Sequence, residues 1–230
     1  MGSLPIRFWV TMGYGLHPEH SINAYDEALR RAGICDQNII QVSSVPPPEQ
    51  ISPVVRHNIT YVPMPTEEQL KLFPNITRKK IHRVAIIDKK QYLVLDESMC
   101  INVVMARSEG AQFQRITSSI GLVWYASYKA PGVFAVEDHG NNTIEGSRDN
   151  CCEMMRRMLK ARGKTPIKID EPKREIPFGK NTELVKMRLW ECGKPMKMKI
   201  YTMSIDGIPE GLNGCAISTV VFDPFTEIHS

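Results

Sequence analysis

The sequence predicts an α+β sandwich in one domain, strand-rich and with few helices, and three observations carry that expectation. Apolar residues alternate in the period-two pattern of strands, most regularly over residues 115–125. There Ile116, Ile120, Leu122 and Trp124 form a bulkier face than Thr117, Ser119, Gly121 and Val123. Only two segments show helical spacing, and 230 residues with 42% hydrophobic content suffice for one large core.

The elements follow in order. The run from Met1 to Val10 breaks at Gly13 and Gly15. Ile22, Tyr25, Leu29 and Ala32 then recur at helical spacing, Asn23 suits a start cap with Asp26 three residues on, and Gly33 suits the C-cap. Residues 38–43 read as a strand stopped by Pro46-Pro47-Pro48, and 52–82 as irregular. Segments 84–87 and 92–95 suggest a hairpin around Asp88-Lys89-Lys90, and 101–105 and 133–136 read as strands. A second helix spans about 147–162, with Cys151, Met155, Met158 and Leu159 buried and Gly163 at its end. A charged connector over 164–181 precedes paired strands at 183–190 and 196–205 and a last strand at 214–222.

Composition narrows the function classes. A net charge of +4 is mildly basic, and the densest cationic cluster, Arg78-Lys79-Lys80 near Arg83, is short and reads as solvated surface, so no nucleic-acid partner is expected. No stretch has the length of a membrane span or the pattern of a signal peptide, and Met1-Gly2 lacks a myristoylation context. The six cysteines lack CxxC spacing and read as reduced thiols of a cytoplasmic protein, neither a metal site nor a disulfide frame. The sequons at Asn58, Asn75 and Asn141 read as chance matches.

Ser43-Ser44 before Val45-Pro46-Pro47-Pro48 is the feature with chemistry in it. A Ser-Ser pair after a strand is commonly an ordinary turn, but a strand that runs into prolines can hold the Ser43–Ser44 peptide bond in a strained geometry. Such geometry suits an N-to-O acyl shift, in which the Ser44 hydroxyl attacks the Ser43 carbonyl. β-Elimination of the ester and hydrolysis of the dehydroalanine product would leave a pyruvoyl group at the new N-terminus. Its ketone can form a Schiff base with an amino acid and accept the electron pair released as CO₂ leaves.

Residues 22–49, INAYDEALRRAGICDQNIIQVSSVPPPE, resemble the pyruvoyl-dependent arginine decarboxylase family. The resemblance continues through ITSSIGLVW, GVFAVEDHG, the second helix and GLNGCAISTVVF, about two-thirds of the chain in all. It implies an αββα sandwich and trimers with active sites between subunits. It further implies conversion of L-arginine to agmatine and CO₂, without PLP or metal, after self-cleavage into chains 1–43 and 44–230. By this resemblance Ser44 is the pyruvoyl precursor, Ser43 the new C-terminus, and Asn38 an amide that assists processing; Asn38 also suits a simple turn.

Glu137, three residues before Gly140, matches the family's acid; leaving an apolar strand, it would be partly desolvated and able to donate a proton, although it also suits a solvated strand-end residue. Glu109 is nearer in raw numbering but reads as part of a polar Ser-Glu-Gly loop. Asp26 resembles the guanidinium-binding aspartate and Leu29 a neighbouring pocket residue, although Asp26 also suits an early helix position. Residues 56–98 and 164–196 are longer than their family counterparts. Two other readings stay open: a pyruvoyl enzyme for another amino acid, and a non-processing paralogue acting as an interaction subunit.

Overall fold

The computed structural model describes residues 3–42, 54–55, 60–63, 83–87, 90–93, 100–125, 132–164, 168–170, 172–176, 181–191 and 194–227. In chain order its first elements are β1 (Ser3–His17), α1 (Ser21–Ala32), β2 (Asn38–Gln41), β3 (Val54–Val55), β4 (Thr60–Pro63), β5 (Arg83–Ile87) and β6 (Lys90–Leu93). Then come β7 (Cys100–Gly110), β8 (Arg115–Tyr125), β9 (Gly132–Gly140), α2 (Ile144–Ala161), β10 (Lys168–Ile169) and β11 (Lys173–Glu175). β12 (Thr182–Glu191), β13 (Lys194–Asp206) and β14 (Asn213–Glu227) complete them.

Two sheets dominate. The first has the order β2-β7-β14-β1-β3, and the second β10-β12-β13-β8-β9, with β11 also paired to β12. β4, β5 and β6 form a separate antiparallel sheet. Strand alternation sorts the side chains into three packed layers. Phe8, Val10 and Met12 of β1 meet Ile120 and Leu122 of β8 and Tyr201 and Met203 of β13 between the sheets. Ala24, Ala28, Leu29 and Ala32 of α1 cover Ile101, Val103 and Met105 of β7 and Ile217 of β14 on the outside of the first sheet. Cys151, Met155 and Leu159 of α2 cover Val123, Phe134 and Ile200 on the outside of the second. The architecture is therefore an α+β sandwich with layers helix, sheet, sheet, helix.

The even residues of β8 face the inter-sheet core and the odd ones face α2, as the alternation predicts. The hairpin at β5–β6 and the β12–β13 pair also form as expected. Other expectations are corrected. Gly13 and Gly15 do not break the chain: β1 runs through both, paired with β14 from Ser3 to His17. A Cβ on Gly13 would stand 2.1 Å from the carbonyl oxygen of Ala28, and one on Gly15 would stand 1.9 Å from that of Ala24. The glycines are thus sites of close helix approach.

Asn23 is no cap either. α1 begins at Ser21 with His20 at the N-cap, which makes no side-chain capping bond, and Ile22 points to solvent at 55% exposure. Glu109 lies inside β7, because strand pairing with Cys215 of β14 extends past the apolar run. α2 starts at Ile144, earlier than expected, because the Thr143 hydroxyl accepts from the Gly146 N–H at 3.0 Å. The region read as irregular holds β3 and β4, and the charged connector holds β10 and β11. The Arg78-Lys79-Lys80 cluster and the proline run at 46–48 lie outside the described residues.

The glycine contacts predict a stability effect. Gly13→Ala or Gly15→Ala must push α1 off the sheet and should cost about 1–3 kcal/mol, the usual range for overpacking. Thermal unfolding checks this; an unchanged midpoint for both would contradict the close approach.

Candidate active site at the open edge of the sandwich

β9 is the last strand of the second sheet, and β7 of the first sheet packs against it. Val133 and Ala135 point into the inter-sheet core while Phe134 and Val136 point toward α2. Alternation therefore turns Glu137 to the inter-sheet side and Asp138 to the helix side. Glu137 stays open to water along the free edge, opposite Ile120 on β8. Partial burial raises its carboxyl above the ordinary value, and the positive field of His139, two residues along the same face, works against that rise.

The other face of β9 is pinned. Asp138 accepts from Ser147 Oγ at 2.6 Å, from Asn142 Nδ2 at 3.1 Å and from Asn150 Nδ2 at 3.2 Å. Ser147 Oγ lies 2.7 Å from Ser119 Oγ, which lies 2.8 Å from Thr202 Oγ1. Each hydroxyl has one proton, so with Ser147 donating to Asp138, Ser119 donates to Ser147 and Thr202 to Ser119. A line of buried hydroxyls thus crosses β13 and β8 to a carboxylate beside Glu137. The sequence reading missed Asp138; its signal was the polar spacing Asp138, Asn142, Ser147 and Asn150, one residue past the candidate acid.

β2 borders the same edge from the first sheet. It runs parallel to β7 from Asn38 opposite Cys100 to Gln41 opposite Val103, and the Val42 N–H donates to Val103 O at 2.9 Å. β9 also runs with β7, because the β7–β8 turn reverses the chain and β9 is antiparallel to β8. Ser108 Oγ donates to Gly140 O at 3.1 Å, so Glu137 falls near the level of Met105. β2 therefore leads the chain toward the level of β7 at which Glu137 sits. Ser43 and Ser44 themselves lie outside the described residues. Ile40 and Val42, 46% and 38% exposed, leave an apolar strip open beside the edge. Asn38 opens β2 as an exposed residue.

Asp26 and Leu29 sit on α1, across the first sheet from Glu137, so a single chain does not bring them together with it. Leu29 is buried against the sheet. Asp26 is exposed in a cleft of about 570 Å³ shared with Leu16, His17, Asn23 and Arg30. Arg30 and Arg31 both bind its neighbour Glu27, whose carboxyl is held below its ordinary value by the hydrogen bond from Arg30 above all. Among the described residues no cation pairs with Asp26. The first turn of α1 contains no acidic residue, so Asp26 does not serve the helix start. Glu109 faces α1 and is ion-paired with Arg107, whose guanidinium lies 3.8 Å from the centroid of the Tyr25 ring.

The fold and this edge define the class: an α+β sandwich with a partly desolvated carboxyl beside the strand that leads into a serine pair. The particular family follows from sequence comparison. The sequence model of pyruvoyl-dependent arginine decarboxylase matches residues 7–64 and 82–225, and the chain belongs to that family. The unmatched residues 65–81 fall within residues 56–98. A comparison with curated proteins finds no match. No helix among the described residues is long and apolar enough to cross a membrane.

The Asp138 network yields a prediction. Asp138→Ala removes the acceptor of buried Ser147 and of the more exposed Asn142 and Asn150 amides, and the unsatisfied buried hydroxyl costs about 1–3 kcal/mol. Denaturant unfolding should show a loss in that range, with Asp138→Asn losing less. Equal stability of wild type and Asp138→Ala would mean that β9 is held by its pairing with β8, the Ser108 bond and packing, without Asp138.

Proposed function

We propose that this protein is a self-processing pyruvoyl-dependent decarboxylase, one domain over 1–230, that converts L-arginine to agmatine and CO₂. The family match supports the class, and the position of Glu137 beside the path of β2 is the observation that carries the mechanism. In this reading Ser44 supplies the pyruvoyl group after cleavage from Ser43. That group provides an electron sink for the substrate carbon that loses CO₂. The edge fits it: β2 is fixed by β7 up to Val42, and Ile40 and Val42 offer apolar surface beside the acid.

The remaining roles belong to side chains. Glu137, held protonated more readily by its partial burial, returns a proton to the substrate α-carbon. Asn38 donates a hydrogen bond to the oxygen that becomes negative during processing. Asp26, without a cation partner of its own among the described residues, accepts two parallel bonds from the planar guanidinium. Leu29 supports that aspartate from beneath. Because Asp26 and Glu137 lie in different layers of one chain, the complete site combines α1 of one copy with the open edge of another. A homotrimer of cleaved protomers provides that pairing.

Two measurements test these roles. Glu137→Gln should still self-cleave but lose about 10²-fold or more in CO₂ release, the range for a positioned general acid. Glu109→Gln should keep its activity, because Glu109 is occupied by Arg107. Since the raised value keeps Glu137 protonated above the ordinary carboxyl value of 4.5, the limb of falling rate should lie above that pH. Replacing His139 with Gln removes an opposing positive charge and should move the limb higher still. A limb that stays put would detach it from Glu137. For specificity, Asp26→Asn should weaken arginine use by about 1.5–3 kcal/mol, as expected for hydrogen bonds to a charged group, and lysine and ornithine use by less. Equal losses on all three substrates would remove Asp26 from the pocket.

A further inference from the structure

Residues 164–196 include β10, β11 and β12, which extend the second sheet from β13 at the end opposite β9. Strand register there stacks like charges. Lys173 lies opposite Lys186, Lys186 opposite Lys199, and Arg188 opposite Lys197. Leu184 and Tyr201 belong to the inter-sheet core, so Lys186, Arg188, Lys197 and Lys199, in phase with them, share one face. These five cations line a groove of about 530 Å³.

Two carboxylates, Asp170 and Glu175, line the same groove, so five cations face two anions. Lys186 Nζ donates to both carboxylate oxygens of Glu175 at 2.6 Å. Among the described residues no carboxylate pairs with Lys173, Arg188, Lys197 or Lys199. Lys199 is half-buried, 5.6 Å from the centroid of the Trp124 ring, where burial first, then Lys186 and Lys197, lower its pKa. Like charges placed directly opposite on neighbouring strands destabilise a sheet, and a multivalent anion in the groove relieves that repulsion.

We propose that this groove is a binding site for a chain of linked phosphates, separate from the edge that carries Glu137. Adjacent strands are about 4.8 Å apart, so the ladder from Lys173 through Lys186 to Lys199 offers positive charge along roughly 10 Å, more than one carboxylate or one phosphate would use. The lysines act as point charges toward phosphate oxygens, and Arg188 adds a planar fork. The concavity suits a small molecule rather than a folded partner.

Calorimetric titration of the purified full-length protein with inorganic tripolyphosphate and, separately, with adenosine triphosphate tests this. Saturable binding of both is expected. Equal affinities would assign recognition to the phosphate chain alone, and tighter nucleotide binding would add contacts to the nucleoside. The double variant Arg188→Gln, Lys199→Met should weaken either probe by at least about tenfold, as for a lost charge-assisted hydrogen bond. Its ligand-free unfolding temperature should equal or exceed that of wild type, since repulsion has been removed. Lys197→Gln, at an exposed position, is the second variant and should also weaken binding. No saturable binding of either probe, or wild-type affinity in both variants, overturns the proposal.

Discussion

The close contact of α1 with β1 sets the geometry on which the rest of the first sheet depends. Thr11, Gly13 and Gly15 occupy alternate positions on the outer face of β1 and receive the carbonyls of Ala32, Ala28 and Ala24. Two strand residues advance about 6.7 Å and four helix residues about 6.0 Å, so the two periodicities match over three contacts. Thr11 donates its hydroxyl to Ala32 O at 2.8 Å, and the glycines give up side chains so that the helix backbone can lie on the strand. β1 and β2 run in the same direction, since both are related to β7 through the sheet, and parallel strands need a crossover. α1 is that crossover. Its seating delivers the chain to Asn38 and sends β2 toward the serine pair, while holding Asp26 on the outer surface.

The second sheet solves a different problem. An edge strand has a free side, and a carboxyl on it would ordinarily be mobile and fully hydrated. Here Asp138 ties the opposite face of β9 to the start of α2 and, through Ser147 and Ser119, to the sheet interior. Ser108 fixes Gly140 from the first sheet. These anchors fix the backbone just after Glu137, whose carboxyl partial burial raises above its ordinary value. Inter-sheet bonding at Ser118 and Ser218, whose hydroxyl oxygens lie 3.1 Å apart, adds a polar link through the core behind it.

Much of this fold is legible in the sequence because its strands obey simple alternation. β8 shows one face to each layer, and the residues of β12 and β13 pair antiparallel. The first strand was not legible for a tertiary reason: Gly13 and Gly15 look like breaks until the helix that they admit is known. Asn23 looked like a cap because Ile22 looked buried; the helix instead buries alanines. In the candidate site, the spacing to Gly140 points to Glu137, while Glu109 reads as a loop residue because nothing local reveals its pairing with Cys215 of β14. Asp138 is not legible because its partners come from the connection after β9 and from α2, and it reaches β8 only through Ser147. The cationic ladder of β11, β12 and β13 depends on register, which the order of residues alone does not display.

Under the proposed self-processing, the bond that breaks joins Ser43 to Ser44, just beyond β2. Intact mass measurement of the purified protein, before and after denaturation, tests it most directly. The account predicts two chains, 1–43 and 44–230, with the larger resistant to N-terminal sequencing because a pyruvoyl group blocks it. Ser44→Ala should give one chain at full mass. A single intact chain in the wild type after long incubation at neutral pH would contradict the account and leave the fold without its reactive group.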